Sequence, residues 1–379
     1  MAIVYLALTV VTIGLALLIK EKTTPYKCSD NTLIYRGMSR QQLLNVVACL
    51  IIFVLLFAVS ALRLNVGNDY LKYVEFMHLV YSRAYVPTEI GFNALAYIVY
   101  YLCGFENYLL VFAIFAFATI AFFMKAMYEQ SEWFTYSFIL FMLLGYYFQS
   151  LSTVRYYLAL SMALYAVKYV INGDWPRFAL IVLIGSLFHK SLLVILVLYV
   201  VARLHWKRWM YAALVVMGIS CLFLKDIYLK IVIFLYPSYE NTEYLSGGTS
   251  AANILRCAAI LLLSLWLYRD HIKGNRVYEF YFICNLMGLV LYVFGSFMPV
   301  ISRIGYYLTI THVLFIPVLI KKIDDEQKQR ITLVIITLCA IAYFALYMRG
   351  AANDGVRILP YQTFLFHDLP LTLSERGYY

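Results

Sequence analysis

The stretch LLNVVACLIIFVLLFAVSALRLNVGNDY, residues 43–70, predicts the architecture of the whole chain. Roughly its first twenty residues are apolar and uncharged, which is the length that an α-helix needs to cross a bilayer. Arg63 follows directly, and a Gly-Asn-Asp turn at 67–69 then leads into an amphipathic tract. Positive charge and a carboxylate therefore occur together where a membrane helix meets water. We expect this junction to form one wall of a membrane active site.

The rest of the chain is as apolar as this stretch. Hydrophobic residues make up 64% of the 379 residues and charged residues 13%, whereas a soluble domain carries about 25% charged residues. The mean hydropathy is +0.80, so the sequence predicts an integral membrane protein. The apolar runs are continuous and of helix length rather than short and alternating, which favours a helical bundle over a transmembrane β-barrel.

The net charge of +10 has an explanation that needs no nucleic-acid partner. Membrane proteins retain basic residues in their cytoplasmic loops, where these residues set the orientation. The sequence lacks a glycine-rich phosphate loop and a zinc-type spacing of Cys and His, so we expect neither a metal nor a cofactor. The seven cysteines lie mostly within apolar runs and are interpreted as small packing residues.

Apolar runs bounded by charged or turn residues predict an all-α polytopic membrane protein with about twelve transmembrane helices. We expect one integral membrane domain over residues 1–379. The predicted helices cover about 1–19, 43–62, 107–124, 133–149, 154–171, 177–188, 191–203, 209–224, 251–268, 277–298, 304–320 and 331–348.

The distribution of lysine and arginine predicts the orientation of these helices. If the basic loop 20–42 lies in the cytoplasm, the basic clusters near 203–208, 269–276 and 321–330 lie there too, as the positive-inside rule requires. Both termini then lie outside. So do three longer segments: 63–106 with amphipathic helices, the loop 225–250 and the C-terminal segment 349–379.

Two segments depart from simple membrane spans. Residues 90–103 carry an apolar stripe at helical spacing but are short for a span, so we interpret them as an interfacial or re-entrant helix. Residues 177–203 are interpreted as two short helices hinged at 189–191, because both basic ends, Arg177 and Arg203, then face the cytoplasm. Short, broken helices in membrane proteins often mark a functional site.

Five isolated cations fall at the predicted outer ends of apolar helices. Any one of them could extend to lipid headgroups or pair with a nearby carboxylate. Because all five have one predicted depth on different helices, we expect them to converge on a polyanion at the outer side of the membrane. The planar fork of arginine suits phosphate oxygens, so a lipid-linked diphosphate fits this charge and depth. The five cations are Arg63, Arg155, Lys190, Arg256 and Arg303.

Asp69 and His189 are the candidate acid–base residues. Asn68 or Asp69 could simply cap the helix that follows, and His189 could be a structural histidine. If functional, His189 would act as a general base on a sugar hydroxyl, because the pKa of a free histidine lies near neutrality. Asp69 is the alternative base. Tyr70 and Tyr73 could stack on sugar rings or belong to the aromatic belt of the membrane interface.

A series of short motifs, taken in chain order, resembles the EpsG family. These bacterial Wzy-like polymerases join the repeat units of capsule, O-antigen and exopolysaccharide. The resemblance implies a multi-pass glycosyltransferase of the bacterial inner membrane with its site facing the periplasm. The motifs are Arg63 with GNDY at 67–70, RYYLA at 155–159, FHKS at 188–191, Arg303 with Tyr307, and LPYQT at 359–363.

The resemblance also implies a reaction between two undecaprenyl-diphosphate-linked oligosaccharides. The non-reducing-end hydroxyl of an incoming unit would attack the anomeric carbon of the growing chain, and undecaprenyl diphosphate would leave. Arg155 and Arg303 would hold the diphosphate with Arg63 as a third contact, because a leaving diphosphate needs fixed positive charge. Lys190 and Arg256 are further candidate contacts. Membrane lipids, and a protein that regulates chain length, would be the other partners.

Two other functions fit parts of the sequence. An O-antigen ligase would use the same donor but the lipid A core as acceptor; a polymerase null leaves one repeat unit on the surface lipid, whereas a ligase null leaves none. A flippase or transporter of lipid-linked sugars would be expected to carry internal pseudo-repeats and polar residues through the full membrane depth. The isolated charges gather at one predicted side instead, which favours an enzyme.

Overall fold

The computed structural model describes residues 2–20, 39–235, 251–295 and 301–367. The regular secondary structure within these ranges is helical. A 3₁₀ segment (Lys190–Val194) and a π-helical turn (Tyr268–Ile272) accompany the α-helices. The α-helices of these ranges are α1 (Ile3–Ala16), α2 (Arg40–Ala61), α3 (Tyr70–Tyr81), α4 (Ile90–Cys103), α5 (Tyr108–Gln130), α6 (Phe134–Leu143), α7 (Tyr146–Ser150), α8 (Val154–Asn172), α9 (Trp175–Ser186), α10 (Ile195–Arg203), α11 (Arg208–Phe223), α12 (Lys225–Leu235), α13 (Ala251–Trp266), α14 (Arg276–Phe294), α15 (Ile301–Thr309), α16 (His312–Lys321) and α17 (Glu326–Arg349).

The lengths of these helices do not confirm the predicted number of membrane spans. Five stretches in the described ranges are long and apolar enough to cross a bilayer, and α11 with the start of α12 would add a sixth as a pair bent by 95°. The all-helical class agrees with the prediction, but twelve spans are not found, because several predicted spans form helices too short for a bilayer about 30 Å thick. The five stretches are Arg40–Ala61, Tyr108–Gln130, Arg276–Phe294, Arg303–Lys321 and Glu326–Arg349.

The structure has a break at 189–191 that the sequence predicted and a break at Gly145 that it did not. The predicted hinge at 189–191 is confirmed, since α9 ends at Ser186 and α10 begins only after the 3₁₀ segment. The predicted single helix 133–149 is wrong. Gly145 has a φ of +78°, a conformation that residues with a Cβ rarely adopt, and it separates α6 from α7.

The described residues form two compact units, and the boundary falls within α8 and α9. The first unit comprises Met1–Tyr165, Ile184–Lys190 and Glu326–Tyr379. Within it α2 packs against α1 and α5, and a capping box between Ser39 and Gln42 starts α2. The second unit comprises Ala166–Leu183 and Ser191–Asp325. There α14 is the central helix and packs against α10, α11, α13 and α15.

Residues 351–367, which we call the C-terminal strap, cover the end of α2 in the first unit. Leu64 N donates to Gln362 O at 2.9 Å, and Gly67 N donates to the carbonyl of Arg357 at 2.8 Å. An antiparallel bridge joins Arg63 to Thr363. The strap therefore closes over the junction with which the sequence analysis began.

Parts of three predicted loops lie outside the described residues. These parts are 21–38 of the loop 20–42, 236–250 of the loop 225–250 and 368–379 of the C-terminal segment. The start of the loop 225–250 is helical, because α12 occupies Lys225–Leu235. The predicted helices of the segment 63–106 are present as α3 and α4.

Candidate functional site

An ion pair between Arg155 and Glu89 forms the centre of the candidate site in the first unit. Arg155 is the second residue of α8, and Glu89 immediately precedes α4. Arg155 Nη1 donates to Glu89 Oε2, and the two side chains are 16% and 15% exposed. The guanidinium carbon lies 5.4 Å and 5.3 Å from the ring centroids of Tyr73 and Phe92. Cation–π contacts and a charge-assisted hydrogen bond thus fix the guanidinium.

The second oxygen of Glu89 ties this pair to the turn that follows α9. Glu89 Oε1 accepts a hydrogen bond from the backbone nitrogen of Lys190 at 3.2 Å. Gly91 allows the close approach: its nitrogen donates to Leu187 O at 2.8 Å, and a Cβ at Gly91 would lie 2.7 Å from that oxygen. One carboxylate therefore joins the starts of α4 and α8 to the turn that carries His189.

His189 lies beside the same pair. Its imidazole is half-buried and meets the ring of Tyr156 edge to face, with 5.3 Å between the centroids. The side chain of Lys190 is exposed. Glu89, Arg155, His189 and Lys190, which we call the Arg155 cluster, place two cations, one carboxylate and one imidazole within a short stretch of surface.

The Gly-Asn-Asp turn packs against the residues that lead into α8. Gly67 has a φ of +108°, and a Cβ there would lie 2.5 Å from Leu151 O, so a larger residue would push the turn away. Asn68 N donates to Ser152 Oγ at 3.1 Å, and the Asn68 amide donates to the carbonyl of Gly355 in the strap at 3.1 Å. The Gly-Asn-Asp turn is thus fastened to the residues that lead into α8 and to the strap.

Asp69 is the residue at the N-cap position of α3, but its side chain makes no capping hydrogen bond. Its backbone carbonyl accepts from Tyr73 N at 2.9 Å, and the residue is half-buried. Helix capping therefore does not account for the carboxylate, and Asp69 stays the alternative predicted base.

Tyr70 and Tyr73 are buried rather than displayed at the surface. Tyr70 stacks on Phe112 with 4.5 Å between ring centroids, and Tyr73 lies beneath the Arg155 guanidinium. In this structure both rings pack the first unit. Their contact with a glycan stays a prediction.

Arg63 is also buried, with only 2% of the residue exposed. Its Nη1 donates to Ser60 O, and its guanidinium carbon lies 5.0 Å from the Phe112 ring centroid. Burial lowers the pKa of Arg63 because the charged form loses its hydration, yet an arginine stays protonated at neutral pH. The contact of Arg63 with a lipid diphosphate stays a prediction.

The other two predicted cations belong to the second unit. Arg256 lies on α13, where its Nη2 donates to Asn253 Oδ1 at 2.9 Å. Arg303 lies on α15 and is half-buried. The structure therefore assembles Arg155, His189 and Lys190 in one place, and their convergence with Arg256 and Arg303 stays a prediction.

Sequence reasoning missed two features of the site. It assigned no role to Glu89, although a carboxylate bordering the apolar run 90–103 was the available signal. It also left the motif LPYQT at 359–363 without a position, whereas this motif forms the part of the strap that pairs with residues 63 and 64.

The chain was compared with protein families, curated proteins and solved structures. A family model described as the EpsG family matches residues 46–363. No curated protein and no solved structure matches. The matched range includes the whole Arg155 cluster, the Gly-Asn-Asp turn and the strap motif.

Proposed function

Because the chain belongs to the EpsG family, a family of Wzy-like polymerases, we propose that it polymerises undecaprenyl-diphosphate-linked oligosaccharide repeat units. The growing glycan is transferred to the non-reducing end of an incoming unit. The products are O-antigen, capsule or exopolysaccharide. We place the protein in the bacterial inner membrane with its site facing the periplasm, on the basis of the positive-inside pattern.

The observation that carries the proposal is the Arg155 cluster. A leaving diphosphate gains negative charge as its bond to the sugar breaks, and fixed cations stabilise that charge. Arg155 is held in one orientation by Glu89 and two aromatic rings, so little reorganisation is needed when the diphosphate arrives. The Arg155 side chain is 16% exposed, so part of it is accessible to a phosphate oxygen.

Each residue of the cluster has a role in the proposed reaction. The acceptor hydroxyl oxygen attacks the anomeric carbon of the donor, and His189 takes the hydroxyl proton. The bond between that carbon and the diphosphate oxygen breaks, and the oxygen leaves with the electron pair. Arg155 and Lys190 bind the departing diphosphate. Glu89 is a positioning residue that holds Arg155 and the turn of His189, and Arg303 and Arg256 are further proposed contacts.

The decisive experiment uses the purified full-length protein with lipid-linked repeat units and no nucleotide sugar. We expect a ladder of lipid-linked products from the wild type and only single units from Arg155→Ala. Arg177→Ala is the matched control, because the Arg177 side chain is 71% exposed and pairs with Asp174 at the surface.

The same assay separates the proposal from its rivals. Transfer to lipid A core without a ladder would make the protein a ligase, and movement of the substrate across vesicles without new glycosidic bonds would make it a transporter. A full ladder from Arg155→Ala would remove Arg155 from the diphosphate site.

A further inference from the structure

An apolar groove runs between α1 and the first half of α2 on the outside of the first unit. Its volume is about 340 Å³, within the range of roughly 300–1,000 Å³ that is usual for ligand pockets. Leu15 and Leu18 line one side, and a stripe of α2 from Arg40 to Ile51 lines the other. The residues of this stripe follow helical spacing, so they form one continuous face. We call this feature the α1–α2 groove.

Two cations and two amides mark one end of the groove. Arg40 is the first residue of α2, and Lys20 is held close to it. The Asn45 amide donates to Lys20 O at 2.8 Å and accepts from Lys20 N at 3.2 Å. Gln41 Nε2 donates to Leu18 O at 3.1 Å and to Asn45 Oδ1 at 2.8 Å. Since Lys20 and Arg40 are exposed, two positive charges are displayed at an end whose shape is fixed by hydrogen bonds.

The length of the groove matches one leaflet of a bilayer. Arg40 and Ile51 are eleven positions apart in one helix, which is about 16 Å at 1.5 Å per residue. The hydrocarbon core of a bilayer is about 30 Å thick, so one leaflet contributes about 15 Å. The positive-inside pattern places the charged end in the cytoplasm. An acyl chain of the cytoplasmic leaflet therefore fits along the groove with its head group at Arg40.

The charge at this end favours an anionic head group over a zwitterionic one. The phosphate of phosphatidylglycerol has no ammonium group beside it, whereas phosphatidylcholine and phosphatidylethanolamine carry a cation that Lys20 and Arg40 would repel. The described residues that line the groove include no carboxylate, and the amino-terminal end of α2 adds positive partial charge. Basic pockets between transmembrane helices on the cytoplasmic side are suited to anionic lipids.

A second apolar groove, between α2 and α5, is a poorer site for an anion. Its volume is about 370 Å³, and Lys125 lies at its edge. Lys125 Nζ lies 4.0 Å from a Glu129 oxygen and 5.4 Å from the ring centroid of Tyr165. Because a carboxylate and an aromatic ring already accompany this charge, we assign the lipid to the α1–α2 groove.

We propose that the α1–α2 groove binds one anionic phospholipid of the cytoplasmic leaflet. One acyl chain lies along the stripe that ends at Ile51, and Lys20 and Arg40 bind the phosphate. The lipid stabilises the packing of α1 against α2, because it binds the folded groove and not the unfolded chain. This inference does not depend on the proposed polymerase activity, since the groove begins at the end of α2 that is remote from Arg63.

Native mass spectrometry of the purified full-length protein in detergent tests the role of the charges. The protein is titrated with phosphatidylglycerol or with phosphatidylcholine that has the same acyl chains. We expect one phosphatidylglycerol to bind about tenfold more tightly than phosphatidylcholine. The double variant Lys20→Gln, Arg40→Gln should lose this preference. Arg177→Gln, Lys207→Gln is the matched control, because it removes two exposed cations elsewhere and should keep the preference. Equal affinities of the wild type for the two lipids, or an unchanged preference in the first double variant, would overturn the proposal.

A second pair of variants tests the apolar part of the groove. Val47 lines the groove and is 45% exposed, whereas Val54 lies outside it on α2 and is 51% exposed. Tryptophan at either position is therefore tolerated by the core, but only Val47→Trp fills the groove. We expect phosphatidylglycerol to raise the unfolding temperature of the wild type and of Val54→Trp by several degrees in a saturable manner, and not that of Val47→Trp.

Two outcomes of the unfolding experiment would contradict the site. Equal responses of Val47→Trp and Val54→Trp would show that the lipid does not occupy the groove. A larger and tighter response of the wild type to undecaprenyl phosphate than to phosphatidylglycerol would assign the groove to a polyisoprenoid lipid instead of a phospholipid.

Discussion

At the scale of single residues, Glu89 organises the candidate site without needing to touch a substrate. Its two oxygens engage Arg155 and the backbone of Lys190. Because both oxygens are already engaged by protein groups, Glu89 is placed to hold its partners rather than to accept a proton from a substrate.

We therefore expect Glu89→Gln to slow polymerisation about tenfold or more. The amide keeps the shape but loses the charge-assisted bond to Arg155, so the guanidinium is no longer held. The length distribution of the polymer and the rate in the purified assay measure the effect. Glu326→Gln is the matched control, because Glu326 forms an exposed ion pair with Arg330; polymer of normal length in both variants would refute the role of Glu89.

The choice between the two candidate bases is also a residue-scale question. We expect His189→Gln to lower kcat by about 10²- to 10⁴-fold with little change in KM, because a general base acts on the chemical step. Asp69→Asn should change kcat much less. The opposite result in the purified assay would assign proton removal to Asp69.

Part of this candidate site could be predicted from the sequence. Arg155 and His189 stand out because each is polar beside long apolar runs. Glu89 also borders an apolar run, but its role could not be predicted, since its partners lie 66 and 101 residues away and spacing along the chain carries no signal of such contacts. The burial of Arg63 could not be predicted either, because it depends on the strap.

At the scale of elements, the backbone of α4 approaches the turn after α9 closely at Gly91. This close approach fixes the position of α4 against that turn. The steric limit at Gly91 comes from a carbonyl of the backbone, which cannot move aside as a flexible side chain would.

We expect Gly91→Ala to destabilise the protein by about 1–3 kcal/mol, the usual cost of overpacking, and to reduce polymerisation because the turn of His189 shifts. Gly14→Ala is the matched control: Gly14 lies in α1 with open space around it, and alanine favours a helix by up to about 1 kcal/mol. Unfolding temperatures in detergent measure both variants, and equal temperatures would show that the approach at Gly91 can relax.

The elements also show where sequence patterns fail. The hinge after α9 was predictable because charge on both flanks made one long helix implausible. The break at Gly145 was not, since a single glycine in an apolar run is compatible with a continuous helix. Predicted spans such as 133–149 are continuous in hydropathy but are divided in the structure, because hydropathy reports burial in apolar surroundings and not helix length.

At the scale of the whole molecule, composition was the most informative property. Large apolar side chains remain exposed along α1, α2, α13 and α17, an arrangement that water disfavours and lipid tails accept. The all-helical class and the membrane location could be predicted from this apolar composition. The division into two compact units does not, because it depends on contacts between distant segments.

The strap has a consequence for how the chain is made. The carbonyl of Gly355 accepts a hydrogen bond from the Asn68 amide, and Gly355 is synthesised 287 residues after Asn68. At 5–20 residues per second this delay is about 15 to 60 s. During that interval the junction after α2 is already synthesised, yet nothing from the carboxyl end covers it. The backbone of residues 63 and 64 therefore lacks its partners until residues 362 and 363 have been synthesised. Docking of the strap is thus a later assembly step than the synthesis of α2, and we expect a stop codon before residue 351 to yield a chain in which the junction stays uncovered.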